Sequence, residues 1–290
     1  MKVAGLLAVI LGFCVPVSPT RAAGDAAQRG YFPFAQGGHQ LRVWYFQPAK
    51  ATADASVLIV IHGVGRNAED YLNDWMEIAA RKNCLLIVPE YSKEQFPGEQ
   101  AFNSGNLFDK AGRAIPRDQW SFSMIEPIFD AARARFGNRS TRYSLYGHSA
   151  GAQFVQRFVY FVPAARLARV VSANAGWYML PDLAKSYPYG LKGTTATEAD
   201  LRHALALPLT ILLGTADIDP VLHSLRHTPE ADAQGPYRLA RGKFFYARAE
   251  EAAKNLKMPL GWSLAFAPDI DHSDQKMAPF AVKALFPEQS

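Results

Sequence analysis

Residues 143–158 read YSLYGHSAGAQFVQRF. Tyr143 to Tyr146 reads as a buried strand, and Gln153 to Phe161 continues as a helix. Between them GHSAG sets Gly147 and Gly151 two places to either side of Ser149, with small Ala150 beside it. The two glycines let strand and helix approach closely. The turn lifts Ser149 into the open at a strand end, next to the free amides of a helix N-terminus. Such a hydroxyl reads as a nucleophile. The plainer alternative is a serine that only caps the helix.

The flanking pattern repeats this strand-to-helix order. Leu41 to Phe46 reads as an early strand, and Ser56 to His62 (SVLIVIH) as an uninterrupted apolar one. Asn67 is placed to cap a helix with Tyr71, Leu72, Trp75, Ile78 and Ala79 on one stripe. Cys84 to Pro89 is the next buried strand. A long irregular stretch, Tyr91 to Asp118, follows; loops of that length are usually functional. A helix is expected from Phe122 to Phe136, then strands at Thr141 to Tyr146 and Ala168 to Ala173 around the helix Ala150 to Phe161. An aromatic-rich insertion covers Trp177 to His203. Strand Leu209 to Leu213, a helix around Leu239 to Leu256, strand Trp262 to Ala267 and helix Pro279 to Phe286 complete the chain. Continuous apolar strands alternating with helices predict an α/β fold. Its central sheet is mostly parallel and covered on both faces, and its sites lie at the strands' carboxyl ends.

A serine hydroxyl needs a general base, and the base needs an orienting acid. In a sheet of this kind they follow in the order Ser, Asp or Glu, His. Of the seven histidines, only His272 follows the last strand, in APDIDHSDQKMAP. Strand Leu209 to Leu213 runs into GTADIDP, which offers Asp217 and Asp219. The short turn after Gly214 favours Asp217, and Pro220 biases Asp219 toward an extended backbone leading away. Two backbone amides are expected to cradle an oxyanion: that of Ala150, and that of Val64 in HGVGRNAEDY after the first buried strand. His62 reads as a prop for that loop, and Arg66 as a solvated side chain, with contact to an acidic substrate group as the alternative. Trp177 and Tyr178, just after a strand end, are expected to line the substrate cleft.

The 290 residues, 49% of them hydrophobic, suffice for one large domain with a substantial core. MKVAGLLAVILGFCVPVSPTRAAG has a charged start, an apolar stretch from Val3 to Val15 and small Thr20 and Ala22. It reads as a leader, residues 1–23, cleaved near Ala22 or Ala23, with residues 24–290 exported to the periplasm or beyond and no lasting membrane anchor. Cleavage removes Lys2 and Arg21 and no acid, so the formal charge falls from +5 to +3. No basic cluster is interleaved with aromatics, which argues against nucleic acid as a partner. Cys84 would be the one cysteine left, and reads as a core residue.

Together HGVG at 62–65, GHSAG at 147–151, Asp217 and His272 resemble the α/β-hydrolase family over nearly the whole mature chain. Within it, IHGVGRNAEDY and VPEYS look most like esterases related to polyhydroxybutyrate depolymerases and feruloyl esterases. The resemblance implies acyl transfer to water through an acyl-serine, with no metal and no organic cofactor, and a small or polymeric ester as substrate. An acyltransferase or a peptidase would use the same three residues, and a catalytically silent binding protein is the reading from another class.

Overall fold

The computed structural model describes residues 26–222 and 224–287. The expected leader, residues 1–23, lies outside the described residues. Eight strands form one sheet: β1 (Gln28–Gln36), β2 (His39–Gln47), β3 (Val57–Ile61), β4 (Leu85–Pro89), β5 (Tyr143–His148), β6 (Leu167–Ala173), β7 (Leu209–Gly214) and β8 (Ser263–Ala267). Their spatial order is β1-β2-β4-β3-β5-β6-β7-β8. The first hairpin and the β2–β4 pair are antiparallel; every other pair is parallel. This is the α/β-hydrolase fold.

Strands β3, β4, β5 and β7 are buried at every residue because both their faces are covered, and alternate residues serve different layers. In β3, Val57, Ile59 and Ile61 join one core cluster, while Leu58 and Val60 join the other. Helices α1 (Ala68–Lys82) and α8 (Asp274–Leu285) cover the second face through Leu72, Trp75, Met277 and Ala278. The first face packs α3 (Ile125–Phe136), α4 (Ala150–Phe161), α5 (Glu198–Ala206) and α7 (Arg238–Asn255), with Phe129, Phe158, Leu205 and Phe245 in its core. Two one-turn helices, α2 (Gly98–Ala101) and α6 (Pro229–Asp232), sit in loops.

Three expectations need correction. Strand β1 was not expected; Pro33 interrupts its pattern, and a sheet edge tolerates that proline. Helix α8 begins at Asp274 rather than Pro279, because Ser273 accepts from the Lys276 amide and Pro279 lies within the helix. Asn67 sits at the N-terminus of α1, but its side chain caps no amide and donates instead to Asp70. Cys84 is a free, buried thiol, as expected of a core residue. Among the described residues, no helix is long and apolar enough to cross a membrane.

Candidate active site

The turn after β5 holds Ser149 at φ 56° and ψ −115°, a positive φ that residues with a side chain seldom adopt. A Cβ on Gly147 would lie 2.2 Å from the Gly151 carbonyl oxygen, and one on Gly151 would lie 2.0 Å from that of Ile61. Strand and helix therefore touch backbone to backbone. Gly151→Ala should cost about 3 kcal/mol or more, because rigid backbone cannot yield, and lower Tm by roughly 6 °C or more. A thermal melt within 2 °C of the parent would contradict this contact.

The Ser149 side chain makes no cap for α4. Its Oγ lies 2.9 Å from Nε2 of His272, and Nδ1 of His272 lies 2.7 Å from Oδ2 of Asp217. With Asp217 ionised, Nδ1–H donates to the carboxylate and Nε2 accepts from the serine hydroxyl. Asp217 is buried, and Arg238, also buried, approaches its other oxygen at 3.5 Å. Asp219 is exposed, and its carboxylate accepts from the Val221 amide at 2.9 Å. Of the two aspartates, the one nearer Gly214 is thus the one placed on the imidazole.

Asn174, which follows β6, ties the two partner loops together. Its Oδ1 accepts from the Gly214 amide at 2.8 Å, and its Nδ2 donates to the Asp271 carbonyl at 3.1 Å. One buried amide thereby links the turn leading to Asp217 with the residue before His272.

The loop after β3 lies against the serine: a Cβ on Gly63 would sit 3.6 Å from that of Ser149. Val64 and Ala150 line the same space as Ser149. Ala150 opens α4, so its amide has no intrahelical acceptor. His62 props this loop as read from sequence. Its Nδ1 donates to the Gly63 carbonyl, and its Nε2 accepts from the Tyr91 amide. Burial holds its pKa down to about 4, so it stays neutral. Arg66 is not a solvated side chain. Its guanidinium donates to the carbonyls of Tyr91, Phe96 and Gly98, and lies 3.9 Å from the centre of the Phe102 ring. Burial lowers its pKa to about 10.

Two recesses meet at Ser149. One, of about 480 Å³, is bounded by Trp177, Gln153, Glu99 and Arg226; the other, of about 410 Å³, by His272, His148, Tyr71 and Asp274. The Trp177 indole lies between two guanidinium groups, Arg157 at 4.1 Å and Arg226 at 4.7 Å. Tyr178 is a correction. It is fully buried, its ring stacks on Phe245 at 4.4 Å, and it lines neither recess. The step from Trp177 to Tyr178 reverses side-chain direction, so one aromatic faces the cleft and the next the core.

Behind His272, His148 accepts from or donates to the Tyr71 hydroxyl at 2.9 Å, and burial pushes its pKa well down. Asp274 is buried at the start of α8 and accepts from the Tyr146 hydroxyl at 2.7 Å. Burial raises its pKa to about 7. Between the ordinary carboxyl range and pH 7, the folded chain keeps a proton that the unfolded chain has lost. Wild-type stability therefore drops as pH rises through that window. Asp274→Asn has no proton to lose, so its stability relative to wild type should improve by a few kcal/mol from about pH 4 to pH 7 and then level off. Denaturant melts at several pH values check this; a relative stability that declines with pH would contradict it.

The chain is 47% identical to poly(aspartic acid) hydrolase-1 from Sphingomonas sp. KT-1, with a TM-score of 0.87, covering 89% of this chain and 98% of that one. It is 34% identical to the poly(3-hydroxybutyrate) depolymerase of Bordetella parapertussis, with a TM-score of 0.86, covering 92% and 93%. The chain belongs to the α/β-hydrolases. Within the α/β-hydrolases it is a relative of the poly(3-hydroxybutyrate) depolymerases, as its sequence resemblance implied. An S-formylglutathione hydrolase from Agrobacterium tumefaciens, 14% identical at a TM-score of 0.57 over 90% of this chain and 96% of that one, shares the fold. No protein-family model and no curated protein sequence matches the chain.

Sequence reasoning missed Arg238, Asn174, Arg226 and Glu99. Glu99, in the one-turn helix α2, and Arg226, in a loop, are 127 residues apart, yet they pair at 2.9 Å. No local pattern joins them.

Proposed function

We propose that this α/β-hydrolase is an exported serine esterase that cleaves carboxylic esters through an acyl-serine. The observation that carries the reading is the unbroken hydrogen-bonded run from Ser149 through His272 to buried Asp217. As Ser149 Oγ bonds to the ester carbonyl carbon, its proton passes to His272 Nε2. The amides of Val64 and Ala150 receive the developing oxyanion. The C–O bond to the alcohol then breaks, and His272 returns the proton to the departing oxygen. Water repeats the sequence, with His272 again taking the proton, and releases the acid. Asp217 holds the imidazole in the tautomer that leaves Nε2 free.

Amide cleavage is the second reading, favoured by the 47% identity to a hydrolase of poly(aspartic acid). A fluorophosphonate probe should label Ser149 in wild type and leave Ser149→Ala unlabelled; no labelling of active wild-type protein would refute the acyl-serine. Product analysis on poly(3-hydroxybutyrate), on short-chain esters and on poly(aspartic acid) separates ester from amide preference. N-terminal sequencing of the secreted protein tests export, with a start at Ala23 or Gly24 expected.

A further inference from the structure

The two recesses that meet at Ser149 differ in charge. The one walled by Trp177 is bordered by Arg66, Lys93, Arg226 and Arg238, with Glu99 as its one acid. Glu99 is taken by Arg226, with contacts of 2.9 and 3.1 Å, and Arg238 faces Asp217. Among the described residues, Arg66 donates only to neutral carbonyls, and exposed Lys93 has no carboxylate partner. Behind Trp177, buried Arg157 donates to the Asn103 carbonyl and the Gln153 side chain; the nearby acid acting on it is Glu99, already paired with Arg226. This side carries positive charge that the protein does not neutralise. The other recess is bordered by Asp74 and Asp274, and among the described residues no Lys or Arg lines it.

The chemistry fixes which part of a substrate enters which side. His272 must hand its proton to the departing oxygen, so the leaving group lies on the side of His272. His272 borders the acidic recess and not the cationic one. Ala150, one of the two amides facing the oxyanion, borders the cationic recess alone. The acyl chain therefore extends toward Trp177, Lys93 and Arg226.

We propose that the cleft sorts substrates by the position of their charge. The favoured substrate carries a carboxylate on its acyl part, held in the Trp177 recess. Its leaving group is uncharged or cationic, since an anionic one would face Asp74 and find no Lys or Arg among the described residues lining that side. This rests on the acyl-serine reading above and adds a substrate class to it.

Two isomeric monoanions test the proposal. Ethyl hydrogen succinate carries its carboxylate on the acyl side, and butyryloxyacetate carries it on the alcohol side. Each kcat/KM is divided by the ester's alkaline hydrolysis constant. The succinate should lead by about tenfold or more, the scale of one or two solvent-screened charge contacts on each side. The lead should shrink in about 0.5 M salt. Lys93→Glu, at an exposed position without a hydrogen-bond or ion-pair partner among the described residues, should shrink it by about threefold to tenfold. A lead of twofold or less, or one that Lys93→Glu leaves unchanged, overturns the charge sorting. Ethyl butyrate turnover and fluorophosphonate labelling run alongside. Protein that is labelled and active but shows no preference refutes the sorting alone. Protein that is neither labelled nor active refutes the acyl-serine reading and the sorting with it.

Discussion

Ser149→Ala should fold like the wild type and lose ester hydrolysis by about 10⁴-fold or more. The folding half follows from the side chain's contacts. The hydroxyl caps no amide of α4, and among the described residues its one hydrogen bond is to His272. Alanine keeps the Cβ that already occupies the turn, so the left-handed backbone costs no more than before. The activity half follows from what remains. On the proposed mechanism the Val64 and Ala150 amides would still polarise a carbonyl with no attacking atom present, so residual catalysis of the kind left by other such deletions is expected. Steady-state rates on a short-chain ester, with circular dichroism and a thermal melt, decide both halves. Near-parent turnover in folded protein would remove Ser149 from the mechanism.

Asp217→Asn is expected to have the next largest effect, a loss of about 10³- to 10⁴-fold in kcat. The carboxylate accepts from Nδ1 of His272 at 2.7 Å. An amide presenting its NH₂ there would force the proton to Nε2, where it would block acceptance from the serine hydroxyl. The substitution also leaves buried Arg238 without its carboxylate neighbour, so a lower Tm should accompany the lower rate. Asp219→Asn provides the contrast. That carboxylate is exposed and holds only the Val221 amide, so the rate should drop tenfold or less. Rates for the two variants in folded protein check the assignment; the reverse ranking would transfer the orienting role to Asp219.

The parallel sheet was readable because β3, β4, β5 and β7 are continuous apolar runs that need cover on both faces. The elbow was readable because two glycines and a serine must stand close together in sequence for strand and helix to touch. Asp217 and His272 were readable because each follows a strand end. What sequence did not disclose depends on distant segments meeting. Trp177 and Tyr178 are neighbours with opposite fates: Trp177 borders a recess beside Arg157 and Arg226, while Tyr178 packs on Phe245. Helix α5 carried a legible signal that was passed over within the aromatic insertion: Thr197 and Asp200 form a capping box. Arg66 was misread as solvated because its three acceptors are backbone carbonyls in the irregular stretch 91–98, where side-chain identities say nothing about them.

That last feature bears on how the cleft can diverge among homologues. Arg66 grips residues 91, 96 and 98 through atoms that every amino acid possesses. Substitutions at Lys93 or Glu94, both exposed, leave the grip intact, so the rim of the cleft can change its charge while keeping its course. Selection on new substrates then has a region where side chains are free to drift on a fixed path. The arginine that fixes the path is the position where drift should be least tolerated.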